Sequence, residues 1–222
     1  MPGEKGNGMD AERAGLAAYI LRLRRRGITD PRVLSAIESV PRSIFAPPNT
    51  GADAYSDAAL PIECGQTISS PDIVGIMTSA LDVGPEDRVL EVGTGSGYQA
   101  AVLARLAKRV YTIDRFRTLV ESALSRFRTL RLTNIVTMIG DGTLGWPEEA
   151  PFDRIIVTAA GEEVPQALLN QLRQGGILVA PVGPILKVQH LMRMKKIEDG
   201  FEERNLGEVR FVPLIPGKAS RL

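Results

Sequence analysis

The residues best placed to do chemistry gather around one glycine turn. Val89-Leu90-Glu91-Val92 runs into Gly93-Thr94-Gly95-Ser96-Gly97 and restarts at Tyr98. A strand that stops at alternate glycines and resumes as a helix lets a ligand approach main-chain N–H groups at the helix N-terminus. The dinucleotide fingerprint requires Gly-x-Gly-x-x-Gly. Here the third glycine falls one place early, at Gly97, and Tyr98 takes the place reserved for glycine. That spacing disfavours NAD. Asp114 closes the next strand, 21 residues beyond Gly93, where an acid accepts hydrogen bonds from both hydroxyls of a ribose. Gly140-Asp141-Gly142 closes the third, and a carboxylate flanked by glycines there suits an exocyclic amine. Glu91, Asp114 and Asp141 would line the crevice with negative charge, which fits a cationic ligand better than a pyrophosphate. Each acid alone reads equally as a solvated strand end. Their order and spacing together point to S-adenosylmethionine, whose sulfonium is cationic.

The elements that must hold these groups follow from periodicity. Strands are expected at 88–92, 109–114, 134–139, 153–159 and 177–182, with helices at 98–107, 116–131 and 164–173 between them. Strands alternating with helices give right-handed crossovers and a doubly wound, mostly parallel sheet, an α/β fold of Rossmann-like type. Its ligands bind where strand ends meet at a switch point. Residues 187–197 and 207–215 are expected as antiparallel strands added at the C-terminal edge. Upstream, Leu16, Ile20 and Leu23 recur at helical spacing, and Arg22, Arg24, Arg25 and Arg26 precede Gly27. Cations before a glycine suit a helix C-terminus better than an anion site. Thr29-Asp30-Pro31 opens a second helix reaching about Val40, and Ser70-Pro71 a third, with Ile73, Val74, Met77 and Leu81 on one face. The long connection 41–69 carries Ile44, Phe45, Tyr55, Leu60 and Ile62, so it is expected to pack down. The chain thus reads as one domain over 1–222. It divides into a mobile leader at 1–9, N-terminal helices and a substrate loop over 10–82, a cofactor core over 88–183 and C-terminal strands over 187–215.

Composition restricts the chemistry. The 222 residues are 44% hydrophobic and 24% charged, enough for a core and against wholesale disorder. Lys plus Arg is 27 against 26 for Asp plus Glu, a net charge of +1, unlike a duplex nucleic-acid binder. One Cys excludes an intramolecular disulfide framework, and one His with one Cys excludes the usual structural zinc sites. A His-centred catalytic dyad is a remote prospect. No run approaches the length of a membrane helix, and no targeting segment opens the chain, so the expectation is a cytoplasmic protein without a metal.

A wider set of residues carries a family resemblance. Leu60-Pro61-Ile62, Gly65-Gln66-Thr67-Ile68-Ser69, Val89 to Tyr98 with Gln99-Ala100-Ala101, Gly140-Asp141-Gly142, Ala150-Pro151-Phe152-Asp153, Pro181-Val182-Gly183 and Phe211-Val212-Pro213-Leu214 resemble the protein-L-isoaspartate O-methyltransferases. The likeness spans roughly residues 15–215, and Gly-Gln-Thr-Ile-Ser separates this family from generic methyltransferases. Glu63-Cys64 stands where small or polar residues are common in it, and Asp114 where bacterial members often have Glu. The resemblance implies a class I methyltransferase fold and methyl transfer from S-adenosyl-L-methionine to the free carboxylate of L-isoaspartyl residues in damaged proteins and peptides. The ester then collapses to a succinimide that reopens partly to aspartate. It implies Ser69 as the active-site hydroxyl. Gln66, Thr67, Ile68, Ser69, Glu91, Gly93, Gly95, Ser96, Gly97, Asp114, Asp141 and Gly142 are implied at the cofactor, and Thr67, Ser69 and Val212 at the substrate. The expected partners are isoaspartyl proteins and peptides, without nucleic acid or membrane, and the chain is expected to be monomeric.

The residue types agree with that chemistry. A carboxylate nucleophile with an unperturbed pKa of about 4 is ionised at neutral pH, so no general base is required. What remains is to align the reacting atoms and exclude water. Ser70 is the better-placed helix cap, which frees Ser69 for substrate. Cys64 reads as a partly buried thiol, His190 as structural and Trp146 as a loop anchor near the crevice. Three rivals remain: a methyltransferase for a small-molecule acid, a cofactor- or peptide-binding module without turnover, and an NAD-linked reductase, which lacks its Tyr-x-x-x-Lys pair.

Overall fold

In a computed structural model the described residues are 4–219 apart from 49 and 186. The chain opens with α1 (Glu4–Arg25) and α2 (Pro31–Glu38), the latter capped by the Asp30 side chain on Arg32 N–H at 2.8 Å. A short hairpin, β1 (Leu60–Pro61) with β2 (Thr67–Ile68), leads into α3 (Pro71–Leu81). The core then alternates: β3 (Arg88–Val92), α4 (Tyr98–Leu103), β4 (Arg109–Asp114), α5 (Arg117–Thr129), β5 (Ile135–Ile139), β6 (Phe152–Val157), α6 (Gln166–Gln171), β7 (Leu172–Val182), β8 (Gln189–Ile197) and β9 (Gly200–Val209). The sheet order is β5-β4-β3-β6-β7-β8-β9, parallel through β7 and antiparallel from β7 to β9. Successive connections leave β3 in opposite directions, so a crevice opens outside the C-terminal ends of β3, β4 and β6, as a switch point requires.

Burial explains the central strands. Val89, Leu90 and Val92 are at most 1% exposed, as a strand covered on both faces must be. One cluster joins Tyr19, Leu23, Met77 and Leu103 of the helices to Val89, Ile156 and Val179 of the sheet. A second joins Leu90, Ile113 and Leu178 to Leu168 of α6 and, at its margin, Trp146. Trp146 lies edge-on to Tyr111 at 5.6 Å between ring centres, an anchor within that cluster.

The N-terminal helices fix the segment before α3. Asp72, 1% exposed in the first turn of α3, faces Arg22 Nε at 3.2 Å and Arg26 Nε at 2.8 Å. Arg22 also donates to the Tyr55 carbonyl at 2.6 Å, and the Tyr19 hydroxyl donates to the Pro71 carbonyl at 2.6 Å. Two of the basic residues expected only to close α1 therefore clamp it to the loop and to α3.

Several boundaries differ from those expected. Residues 4–9 of the expected leader belong to α1, because no proline interrupts them and the helix continues upstream from its packed stripe; residues 1–3 lie outside the described residues. The last strand was expected at 207–215. Instead β9 starts at Gly200, because Glu198-Asp199 forms a two-residue turn and pairing begins at once, Ile197 with Gly200. Residues 211–215 lie outside any strand and bond to the end of β6: Ala160 N–H donates to the Val212 carbonyl at 2.8 Å and Leu214 N–H to the Ala160 carbonyl at 2.7 Å. Helix α4 stops at Leu103 rather than about residue 107. Among the described residues no helix is long and apolar enough to cross a membrane, and no three His, Cys, Asp or Glu side chains gather as metal ligands.

Candidate active site

The crevice holds a cleft of two lobes that share Gly93 and Thr158. The first encloses about 620 Å³ and is walled by Gln66, Ile113, Asp114, Phe116, Gly142, Val212 and Leu214, among others. The second encloses about 410 Å³ and is walled by Thr67, Ile68, Ser69, Ser96, Tyr98 and Gln99 with Val74, Met77 and Thr94. One lobe is largely apolar with a carboxylate at its wall. The other is rich in hydroxyls.

The glycine turn is built for contact rather than for freedom alone. Gly93 has φ +102, and a Cβ there would collide with Thr158 Oγ1. That hydroxyl donates to both the Val92 and Gly93 carbonyls, at 3.1 and 2.8 Å, which pins the turn across the two lobes. Gly97, at φ +89, abuts the Phe127 ring and Ala123, where a Cβ would stand 2.9 and 3.0 Å away. Gly97 is thus a packing glycine between α4 and α5. Neither it nor Gly95 is part of the lobe walls, although Gly95 N–H donates to Asp114 Oδ2 at 2.9 Å.

The expected acidic lining is corrected in one respect: of its three carboxylates, Asp114 lines the cleft. Its second oxygen accepts from Phe116 N–H at 3.0 Å, and burial pushes its carboxyl above the ordinary value against those two bonds. Glu91 is fully buried beneath the turn. Thr112 donates to its Oε2 at 2.5 Å, and Thr94 in turn donates to Thr112 at 2.7 Å. Its Oε1 has no partner, and burial raises its pKa to about 8, so it is mostly protonated at pH 7. Asp141 adjoins the wall residue Gly142. Its Oδ1 accepts from Thr143 N–H and Oγ1 at 2.9 and 2.6 Å, and its Oδ2 from Gly217 N–H at 2.6 Å.

Thr67 of β2 and Ser69, on the segment that joins β2 to α3, face the second lobe. Ser70 stands at the N-cap of α3 without a side-chain bond, so the capping expected of it is not made. The structure brings Gln66, Thr67, Ile68, Ser69, Gly93, Ser96, Asp114, Gly142 and Val212 to the cleft walls. Sequence reasoning missed Thr158, Phe116, Leu214 and Gln99. Thr158 follows the end of a parallel strand at the switch point, a position that could have been nominated. Cys64 is partly buried, and burial raises its thiol pKa. His190 Nδ1 lies 3.1 Å from Asn205 Nδ2 on the edge strands, away from both lobes.

The cleft fits S-adenosylmethionine on its own features. Gly142 is closed against Val92, whose methyl carbon a Cβ would meet at 2.5 Å, so the wall leaves a slot that only glycine permits. Asp114 places an acceptor in the apolar lobe, and each of its oxygens retains a lone pair for a ribose hydroxyl.

Comparison with known proteins gives a consistent result. The family model described as protein-L-isoaspartate(D-aspartate) O-methyltransferase matches residues 16–219. A protein-L-isoaspartate O-methyltransferase of Paracoccus denitrificans is 57% identical over 199 residues, covering 90% of this chain and 92% of that one. The one from Azorhizobium caulinodans is 54% identical over 213 residues, covering 96% and 98%. Among solved structures, a protein-L-isoaspartate O-methyltransferase aligns with a TM-score of 0.81 at 28% identity, covering 89% of this chain and 65% of that chain. Another of that description, from Plasmodium falciparum in complex with S-adenosyl-L-homocysteine, aligns with a TM-score of 0.76 at 26% identity, covering 89% and 97%.

Proposed function

The chain belongs to the protein-L-isoaspartate(D-aspartate) O-methyltransferase family, and from that premise we propose how its own residues carry the reaction. It is an enzyme that transfers the methyl group of S-adenosyl-L-methionine to the free carboxylate of L-isoaspartyl residues in damaged proteins. The bound cofactor supplies a methyl group already activated by the positive sulfonium that carries it.

The apolar lobe would take the nucleoside, with Asp114 as the acceptor available to the ribose hydroxyls and Phe116 and Leu214 as apolar wall for the base. Ser69 holds one oxygen of the isoaspartyl carboxylate by donating its hydroxyl proton in a hydrogen bond, and the other oxygen attacks. Thr67 flanks it, and Val212 offers main chain to the substrate from the far wall. Since the attacking carboxylate is ionised near neutral pH, the protein moves no proton at the reacting oxygen. Its work is orientation and exclusion of water. The observation that carries the reading is the shared wall of the two lobes: Gly93 and Thr158 border both, so the hydroxyl-rich lobe of Ser69 lies next to the lobe of Asp114. Glu91 supports from below as a neutral acid. We assign the enzyme to the cytoplasm as a monomer that engages no nucleic acid, in keeping with its near-balanced charge.

The test pairs a peptide holding one isoaspartyl residue with its aspartyl twin and follows labelled methyl from S-adenosylmethionine. Wild-type protein labels the isoaspartyl peptide alone; Ser69→Ala lowers turnover by about 100-fold, the scale of one lost transition-state contact, while cofactor affinity holds. Wild-type turnover in Ser69→Ala removes Ser69 from the mechanism, and labelling of small acids in place of the peptide overturns the substrate.

A further inference from the structure

Arg42 is the largest fully buried side chain among the described residues, at 0% exposure. A buried guanidinium is expected to face a carboxylate, because desolvating an uncompensated charge costs several kcal/mol. Among the described residues Arg42 has none within ion-pair distance. Its donors go to main-chain carbonyls instead: Nε to Ala54 at 2.6 Å and Nη2 to Ser69 at 2.7 Å. Its charged carbon lies 4.9 Å from the centre of the Tyr98 ring, and Nη1 has no partner. Tyr98 and Ser69 wall the same lobe. Arg42 therefore sits behind that wall and touches two of its residues at once.

The fork matters more than the charge. Ala54 and Ser69 bracket the loop that carries β1, β2 and Thr67, and a single guanidinium closes that loop from behind. A planar group with several donors can hold two carbonyls and lie over an aromatic face together; an ammonium cannot reproduce that arrangement. Arg22 and Tyr19 hold the loop at Tyr55 and Pro71, and Ile68 is buried, but it is Arg42 that bonds Ser69 itself. Thr67 is exposed and Ser69 only half-buried, so the hydroxyl of Ser69 depends on its own carbonyl being held.

We infer that Arg42 is a positioning residue for methyl transfer, acting through the main chain of Ser69 to hold its hydroxyl at the substrate carboxylate. The inference rests on the assignment of Ser69 above, and a double-mutant cycle separates the two. Turnover and cofactor affinity are measured for Arg42→Lys, Ser69→Ala and the double variant, with thermal melts to confirm folding. Arg42→Lys is expected to lower kcat on the isoaspartyl peptide about tenfold, the scale of a displaced contact. S-adenosylmethionine affinity should stay within about threefold. In the Ser69→Ala background the same substitution should cost less than about twofold, because residues acting as a unit are not additive. Wild-type kcat in Arg42→Lys overturns the inference, and so does an equal loss in both backgrounds, the mark of a general structural role. Wild-type kcat in Ser69→Ala alone overturns the assignment of Ser69 instead. Arg42→Gln, which keeps the stem and one amide donor, is read by the same criteria if the lysine variant does not fold.

Discussion

Glu91 makes the stability of the cofactor-free protein fall with rising pH in a way that one substitution removes. The carboxyl is fully buried, its Oε1 has no partner, and burial raises its pKa from 4.5 to about 8. The folded state thus binds a proton that the unfolded chain releases above about pH 4.5. Stability declines wherever the native state holds more protons than the unfolded one. The contribution is fully present below the unfolded pKa and is lost as pH passes through the folded one. Integrated over those two pKa values, the loss between pH 6 and pH 8 is about 2 kcal/mol. For a chain of this length that corresponds to a fall of roughly 4–8 °C in Tm. Glu91→Gln keeps the shape and a carbonyl acceptor for Thr112 but does not titrate. Its Tm, followed by circular dichroism from pH 6 to 8, should fall less than that of the wild type by this amount. Every other titrating group cancels in the difference. Parallel profiles for the two proteins would refute the buried neutral acid and show Glu91 already ionised across this range.

Two further substitutions probe the site and its frame. Asp114→Asn should weaken S-adenosylmethionine binding by about 10- to 100-fold, as expected for hydrogen bonds to a charged acceptor worth about 1.5–3 kcal/mol. Titration calorimetry checks this, and undiminished affinity would remove Asp114 from the ribose. Asp72→Asn takes away the carboxylate that faces Arg22 and Arg26. Both arginines are partly exposed, so the loss should be about 2–3 kcal/mol, below the full cost for a wholly buried pair. It should appear as a Tm lower by roughly 5–10 °C; an unchanged melt would show that the clamp contributes nothing to stability.

The parallel core was legible because its strands are covered on both faces. Val89 to Val92 and Val110 to Ile113 are buried throughout, mostly apolar, and followed by glycine or acid, the pattern of a strand covered on both faces. The edge was not. Strand β9 contains Glu202, Glu203, Arg204 and Asn205 and is exposed along most of its length, so it carries no alternation to read. It is set by the Glu198-Asp199 turn and by main-chain pairing to β8. Within the site, the Gly93 to Gly97 turn announced itself by spacing, and Gln66 to Ser69 by the family resemblance. Phe116, Thr158 and Leu214 did not, since each merely follows an element or lies in an irregular segment. Arg42 stands in the long connection 41–69. Its significance lies in a missing carboxylate, and a missing partner has no signature in a linear chain.

Asp141 shows how the position of residues 211–219 sharpens the reading of one carboxylate. That stretch lies across the ends of β6, β5 and β4 through four bonds: two to Ala160, one from Gly217 N–H to Asp141 and one from Ala219 N–H to the Arg115 carbonyl at 3.1 Å. Asp141 is therefore already engaged, by Thr143 twice and by Gly217 once. An ionised carboxylate offers about four lone-pair sites. Although partial burial pushes its pKa up, the bonds from Thr143 and Gly217 prevail and hold it below the usual carboxylate range, so it is ionised at neutral pH. Three donors on about four sites leave room for one more. Residues 212–215 wall the first lobe, and Asp141, beside the wall residue Gly142, keeps that one acceptor site free. The wall segment 212–215 and the end of β5 are thus tied together through the same side chain, by way of Gly217.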